Sequence, residues 1–308
     1  MDIVHSLDAL TVERPARIAI GAFDGVHVGH QTLIGETVRR ARAAGQAALA
    51  ITFDPHPSVL LRGRRPSFYL STQADKASWI AALGVDALVI QRFDAAFAAI
   101  SAEAYIDQLV RYARMREITC GPDFALGHGR EGNVTYLEAA GRRLGFGVNV
   151  EPPVQMDGEV VSSTRVRQCL RDGAVDQAAR YLGRPFTLRG VVVTGQHRGR
   201  TLGIPTANLA VPEEVATPAV GVYACQAQTA AGQRARAVVN IGFRPTFNGG
   251  EPRPTIEAHL LDFNQDLYGQ PLRLDFIARL RGEQKFAGIE ALVAQIRRDI
   301  EAARQLVI

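Results

Sequence analysis

At 308 residues the chain is about twice the length of an ordinary domain, and its 47% hydrophobic and 21% charged residues match a globular protein rather than a disordered or fibrous one. Thirty-five basic residues against 31 acidic ones leave a net charge of +4, which over this length reads as a mildly basic surface and not as a nucleic-acid binder. No apolar run is long enough to cross a bilayer, and MDIVHSLDAL lacks the basic start of a secretory leader. Cys120, Cys169 and Cys225 form no C-x-x-C pair, so a cytoplasmic protein without disulfide framework or zinc knuckle is expected.

Up to about residue 160, short apolar runs alternate with helical stretches. Strands are predicted at 17–23, 46–53, 85–93, 117–121 and 146–154, and helices at 29–44, 72–83, 101–115 and 133–144. Each parallel return needs a crossover, so this rhythm predicts an α/β domain of Rossmann-like type, a parallel sheet with helices on both faces. Two short helices follow in SSTRVRQCLRDG and AVDQAARYLG, stopped by Gly173 and Gly183, and read as a hinge region.

From about residue 184 the runs TLRGVVVTG, GVYACQAQT, QRARAVVNIG, TIEAHLLDF and PLRLDFIARLR arrive without helices between them, which predicts a small antiparallel β-barrel. The closing GIEALVAQIRRDIEAARQ predicts one amphipathic helix that turns Ile289, Leu292, Val293 and Ile296 toward the barrel. The expected domains are 1–183 and 184–308.

Lys76 and Lys285 are the only lysines, and neither follows a glycine, so the P-loop pattern is excluded and any phosphate cradle must be of another kind. In IGAFDGVHVGHQTLI a strand ends near Phe23 and a glycine-rich turn leads into a helix with His27 and His30 at its mouth. Gly21, Gly25 and Gly29 permit close backbone approach, and the helix N-terminus offers N–H groups and a favourable dipole to a polyphosphate. Two histidines three apart are also compatible with a metal or with plain surface roles; without a thiolate or third histidine nearby, phosphate ranks above metal.

The segment G-x-F-D-G-x-H-x-G-H resembles the nucleotidyltransferase motif of the bacterial bifunctional riboflavin kinase/FAD synthetase family. TFDPHP (52–57), GPDFALGHGREGN (121–133) and SSTRVR (162–167) resemble that family's adenylyltransferase blocks in order and spacing. The resemblance implies that His27 and His30 grip the ATP phosphates, that Ser163, Thr164 and Arg165 close the triphosphate site, and that the Asp123 loop contacts the flavin nucleotide. Asp54 is a flavin-site candidate whose Asp-Pro context is equally ordinary turn chemistry. The family often has Asn where this chain has His56, and a basic and an aromatic residue where it has Ala125 and Leu126.

GVVVTGQHRGRTLGIPTANL resembles the family's kinase motif, as does VVNIGFRPTFNGG followed by TIEAHLLDFNQDLYG. The resemblance implies a phosphate loop with Gly199, Arg200 and Gly203, an Mg²⁺ site at Thr206 and Asn208, and Glu257 as the base for the riboflavin hydroxyl. For Arg200 an ion pair is the competing reading. Read alone, P-T-A-N is an ordinary turn and Glu257 a solvated strand residue; His259 reads as structural and Lys285 as solvated. Alternation in TIEAHLLDF puts Ile256, Ala258 and Leu260 on one face and Glu257, His259 and Leu261 on the other.

Together these imply an enzyme that phosphorylates riboflavin to FMN and adenylylates FMN to FAD, with ATP as co-substrate and Mg²⁺ as cofactor. Riboflavin, FMN, FAD and ATP would be its partners, with no nucleic acid or membrane and no oligomeric state set. The alternatives are a transferase acting on another phosphorylated acceptor and a catalytically inactive flavin- or RNA-binding regulatory module.

Overall fold

The structure is a computed structural model that describes residues 1–63, 67–195, 203–243 and 254–306. The chain separates into two compact units: the described residues of Met1–Arg65 with Thr72–Ser163, and those of Pro66–Ser71 with Thr164–Ile308.

The first unit is built on β1 (Asp2–Val4), β2 (Ala16–Ile20), β3 (Ala47–Asp54), β4 (Ala87–Arg92), β5 (Met115–Cys120) and β8 (Gly147–Val150), in the spatial order β1-β4-β3-β2-β5-β8. Every pairing in this sheet is parallel. The crossovers are α1 (Val28–Ala43), α2 (Pro57–Arg62) with α3 (Gln73–Ala82), α4 (Ala95–Ala98) with α5 (Ala102–Tyr112), and α6 (Val134–Leu144). A hairpin of β6 (Ala125–Leu126) and β7 (Gly132–Asn133) and another of β9 (Gln155–Met156) and β10 (Glu159–Val160) decorate it.

Strand periodicity divides the core. Ile18, Ile20, Leu49, Ile51 and Val89 pack toward α5 and α6, through residues such as Ile106, Leu109 and Leu137. Ala19, Ala50, Leu88 and Ile90 face the other way, toward Ile34 of α1 and Ala77 and Ile80 of α3. Successive residues thus enter opposite cores, which is why these strands read as continuous apolar runs. The five strands and four helices expected here are present, with β1 joining as an edge strand that the sequence did not announce.

The chain leaves β2 toward β3 and β4 and later returns to β2's other edge as β5. The strand order therefore reverses beside β2, and ligands of open α/β sheets bind at the carboxyl ends of strands at such a point.

In the second unit, α7 (Ser163–Asp172, whose first residue belongs to the first unit) and α8 (Val175–Leu182) pack with a closed barrel, α8 burying Val175, Ala178, Tyr181 and Leu182. The barrel strands are β11 (Phe186–Val193), β12 (Ala207–Ala210), β13 (Gly221–Thr229), β14 (Arg234–Phe243), β15 (Pro254–Leu260) and β16 (Pro271–Arg281), ordered β11-β12-β15-β14-β13-β16 and antiparallel throughout. Closure leaves no free edge.

The last helix, α9 (Ile289–Gln305), lies on the outside of the barrel, with Ala303 in a cluster with Val222, Ala224, Val238 and Leu261. Its inward side runs through Leu292, Val293, Ile296, Asp299 and Ala303, whereas Ile289 is 67% exposed, so the expected apolar stripe begins one turn later. A short strap from earlier in the chain also belongs to this unit: the amides of Ser67, Phe68 and Tyr69 donate to the carbonyls of Glu213 and Glu214, and Arg167 lies over the Phe68 ring at 3.9 Å.

Candidate active sites

The carboxyl end of β2 carries the first site. After Gly21 the backbone enters a left-handed conformation at Phe23 (φ 47°), Gly25 (φ 75°) and Val26 (φ 39°) before α1 begins. Phe23 folds back so closely that a Cβ on Gly21 would stand 2.7 Å from its ring, so a larger residue there would have to displace that buried side chain. His27 is the N-cap of α1, and its Nδ1 accepts the backbone N–H of His30 at 3.3 Å. This cap fixes the tautomer, since a neutral His27 accepting at Nδ1 carries its proton on Nε2 as a donor.

The His27 and His30 rings stack with centroids 3.6 Å apart, and Phe23 meets His30 edge-on at 5.3 Å. A Cβ on Gly29 would press on the His27 ring at 3.2 Å. Nδ1 of His30 is buried with no hydrogen-bond partner among the described residues, an exception that suits a site built to meet a polar ligand. Burial first, and then the charges of His27, Lys76 and His56, hold His30 well below the ordinary imidazole range, so the ring is neutral at pH 7.

Ser163 reaches the same turn, its Oγ donating to the carbonyl of Asp24 at 3.0 Å. The structure therefore gathers Gly21, Phe23, Gly25, His27, Gly29, His30 and Ser163 into one place. Thr164 and Arg165 follow in the first turn of α7, the former exposed and the latter half-buried. Asp54 is exposed at the end of β3, the strand beside β2, and Asp123 is exposed beyond the end of β5.

His56 caps α2, its Nδ1 accepting the Ser58 N–H at 3.0 Å, the acceptor role an Asn fills at such a position. Leu126 is a core residue, wedged against Gly132, where a Cβ would stand 2.7 Å from its side chain. Arg130, which sequence reasoning passed over, braces the Asp123 loop by donating to the Asp123 carbonyl at 2.7 Å.

The barrel carries the second site. Asn208 is paired in register with Glu257 across β12 and β15, and Glu257 with Asn240 across β15 and β14. Directly opposed residues point to one face, so Asn208, Glu257 and Asn240 form a polar row on the outer surface while Ile256 and Ala258 fill the interior. Asn208 is thus a strand residue, not part of a turn. A Cβ on Gly195 would collide with the Asn208 amide at 2.1 Å, so glycine keeps that approach open.

Thr206 lines a cavity of about 400 Å³ together with Val192, Pro205, Phe263 and Asp266. The Nδ1 of His259 lies 2.7 Å from the Pro205 carbonyl and ties down the segment bearing Thr206. Gly203 adopts φ 72°; Gly199 and Arg200 lie outside the described residues. Asn240 carries no local sequence signal, and the barrel register is what singles it out.

All three cysteines are buried; burial pushes the Cys120 thiol up to about 11 and raises those of Cys169 and Cys225 as well, which suits packing and not nucleophilic work. Among the described residues no helix is long and apolar enough to cross a membrane.

A doubly wound unit with a polar turn at its switch point, joined to a closed barrel with a carboxylate among oxygen donors, has the make-up of a two-domain protein that handles phosphate at two centres. Residues 10–165 match the FAD synthetase family and residues 182–307 the riboflavin kinase family. The bifunctional riboflavin kinase/FMN adenylyltransferase of Bacillus subtilis is 37% identical over 93% of this chain and 90% of its own length, and the one from Escherichia coli K12 is 38% identical over 94% and 91%. A crystal structure described as a macrolide-efflux protein from Streptococcus pneumoniae has the same fold, with a TM-score of 0.91 at 30% identity over 99% of both chains. The chain belongs to the family of bifunctional riboflavin kinases/FMN adenylyltransferases.

Proposed function

We propose that this chain makes FAD from riboflavin in two ATP-dependent steps, with adenylyl transfer in residues 1–183 and riboflavin phosphorylation in residues 184–308. Family membership over nearly the whole chain supports the pair of activities. The observation that carries the kinase assignment is Glu257 set opposite Asn208 in the barrel register.

In the kinase half, Glu257 accepts the proton of the riboflavin 5′-hydroxyl as its oxygen attacks the γ-phosphorus of ATP, the β–γ bridging bond breaks, and ADP leaves. Thr206 Oγ1 and Asn208 Oδ1 are the oxygens that would hold Mg²⁺. Two protein oxygens are a usual complement for a cation shared with nucleotide phosphates, and the Gly195 approach leaves the Asn208 amide room to serve. When bound, the cation would neutralise charge building on the phosphate oxygens.

In the adenylyltransferase half, an FMN phosphate oxygen attacks the α-phosphorus of ATP and pyrophosphate departs. The nucleophile is already anionic, so the protein's task is to position and to stabilise charge. His27 through Nε2–H, neutral His30, the N-terminus of α1 and the side chains of Ser163, Thr164 and Arg165 serve that purpose, while Asp54 and Asp123 belong to the flavin side. The buried, unpartnered Nδ1 of His30 supports this reading. We also infer a cytoplasmic location.

The test is a chromatographic time course with riboflavin, ATP and Mg²⁺. FMN with ADP appears first, then FAD with pyrophosphate. FMN that accumulates without FAD would remove the adenylyltransferase assignment, and no turnover would favour a flavin-binding regulatory protein.

A further inference from the structure

Among the described residues, the mechanism above leaves one buried cation unused. Lys76 lies on α3, outside every motif block, and is only 4% exposed. Its Nζ donates to the Ala22 carbonyl at 3.2 Å and to Thr52 Oγ1 at 3.3 Å, and Thr52 Oγ1 donates to that same carbonyl at 2.9 Å. Among the described residues, none of its hydrogen bonds is to a carboxylate. An ammonium withdrawn from water and bonded only to neutral oxygens is costly, and a leucine or methionine would fill the space without that cost.

The cost falls at a telling place. Ala22 stands between Gly21 and Phe23, in the turn that opens the first site, so the lysine grips the backbone just before its left-handed residues. The groups that act on His30 come from three elements: His27 at the start of α1, His56 at the cap of α2 and Lys76 on α3. Asp24 of the turn and Asp54 at the end of β3 act in turn on Lys76, opposing the lowering that burial imposes on it.

We propose that Lys76 is a positioning residue for adenylyl transfer, whose ammonium fixes the Ala22 carbonyl of the phosphate-binding turn and sets a positive charge beside that turn for the ATP triphosphate. This rests on the reading of His27 and His30 as the ATP grip. A charge held rigidly within a water-poor site acts on developing phosphate charge far more strongly than a mobile surface lysine, because it needs no reorganisation when the charge appears. After burial and His27, its charge also helps to hold His30 neutral.

The test compares Lys76→Met, Lys76→Arg, Thr52→Val and His30→Ala in the full chain, assaying FAD formation from FMN across pH and ATP concentration and FMN formation from riboflavin in parallel. Lys76→Met is expected to lower kcat/KM for ATP in adenylyl transfer by about ten- to a hundredfold, mainly through kcat, and to leave riboflavin phosphorylation unchanged. With one cause of the low His30 pKa removed, its acid limb moves to higher pH. Lys76→Arg keeps most of the activity. Thr52→Val removes a tether but keeps the charge, so its acid limb stays where the wild type's is.

Wild-type adenylyl transfer by Lys76→Met beside an inactive His30→Ala overturns the role of Lys76 alone. Loss of both activities in Lys76→Met, or identical profiles for Lys76→Met and Thr52→Val, makes the lysine merely structural and also overturns it. An active His30→Ala instead overturns the site reading on which the proposal stands.

Discussion

Glu117 is where three charges meet under the sheet of the first unit. Arg40 of α1 donates to both carboxylate oxygens at 2.6 Å, and Arg17 of β2 forms a second ion pair with it. Burial raises the Glu117 pKa, but the hydrogen bonds from Arg40 and Arg17 outweigh it and hold the carboxyl below its ordinary value. A depressed carboxylate contributes stability above its unfolded pKa of about 4.3 and loses that contribution as pH falls through the folded value. Glu117→Gln is therefore expected to destabilise the protein at pH 7 by about 2 kcal/mol, below the 3–5 typical of a fully buried pair because Arg40 is one-third exposed. The gap from wild type should narrow below about pH 4, as measured by urea unfolding at several pH values.

At this scale much of the local geometry was legible in the sequence. The H-x-G-H spacing does bring two imidazoles into one stack, because residues three apart at a helix start share a face. The departures at His56 and Leu126 also find local explanations, as a helix cap and as a core residue. Lys76 was not legible as a site residue, since a lysine four residues into a helix looks solvated until the strand it packs beneath is known.

Elements with regular patterns were the easiest to read. The parallel strands and their helices fall close to their expected bounds because apolar runs and caps such as Thr72, Ser101 and Asn133 are local signals. What escaped depends on distant partners. β12 is four residues long and owes its strand character to β11 and β15, and the strap at 67–69 pairs with residues almost 150 positions away. α9 shows the same limit, since its inward stripe contains Asp299, only 4% exposed and paired with Arg281 of β16 at 2.8 Å. Periodicity of apolar residues cannot foresee a carboxylate on the buried side. Arg281→Ala leaves that carboxylate without its cation and is expected to cost about 3 kcal/mol in chemical denaturation of the barrel unit. An unchanged midpoint would mean that α9 docks without the pair.

For the whole molecule, length and the change of rhythm near residue 184 already suggested two architectures in one chain, and the two family matches fall on either side of that change. What neither length nor rhythm contained was the register that aligns Asn208, Glu257 and Asn240 across three strands, because register follows from barrel closure. The two centres as proposed use different chemistry. One needs a base for a neutral hydroxyl, whereas the other needs only donors for an anionic nucleophile, so each should fail alone.

The most direct test is a crossed assay on folded variants, with FMN formation from riboflavin and FAD formation from supplied FMN measured separately. Glu257→Gln should lose riboflavin phosphorylation by about 10²–10⁴-fold and keep FAD formation, while the double variant His27→Ala, His30→Ala should do the reverse. If either variant lost both activities while still folded, or if Glu257→Gln phosphorylated riboflavin at the wild-type rate, the assignment of one reaction to each centre would be contradicted.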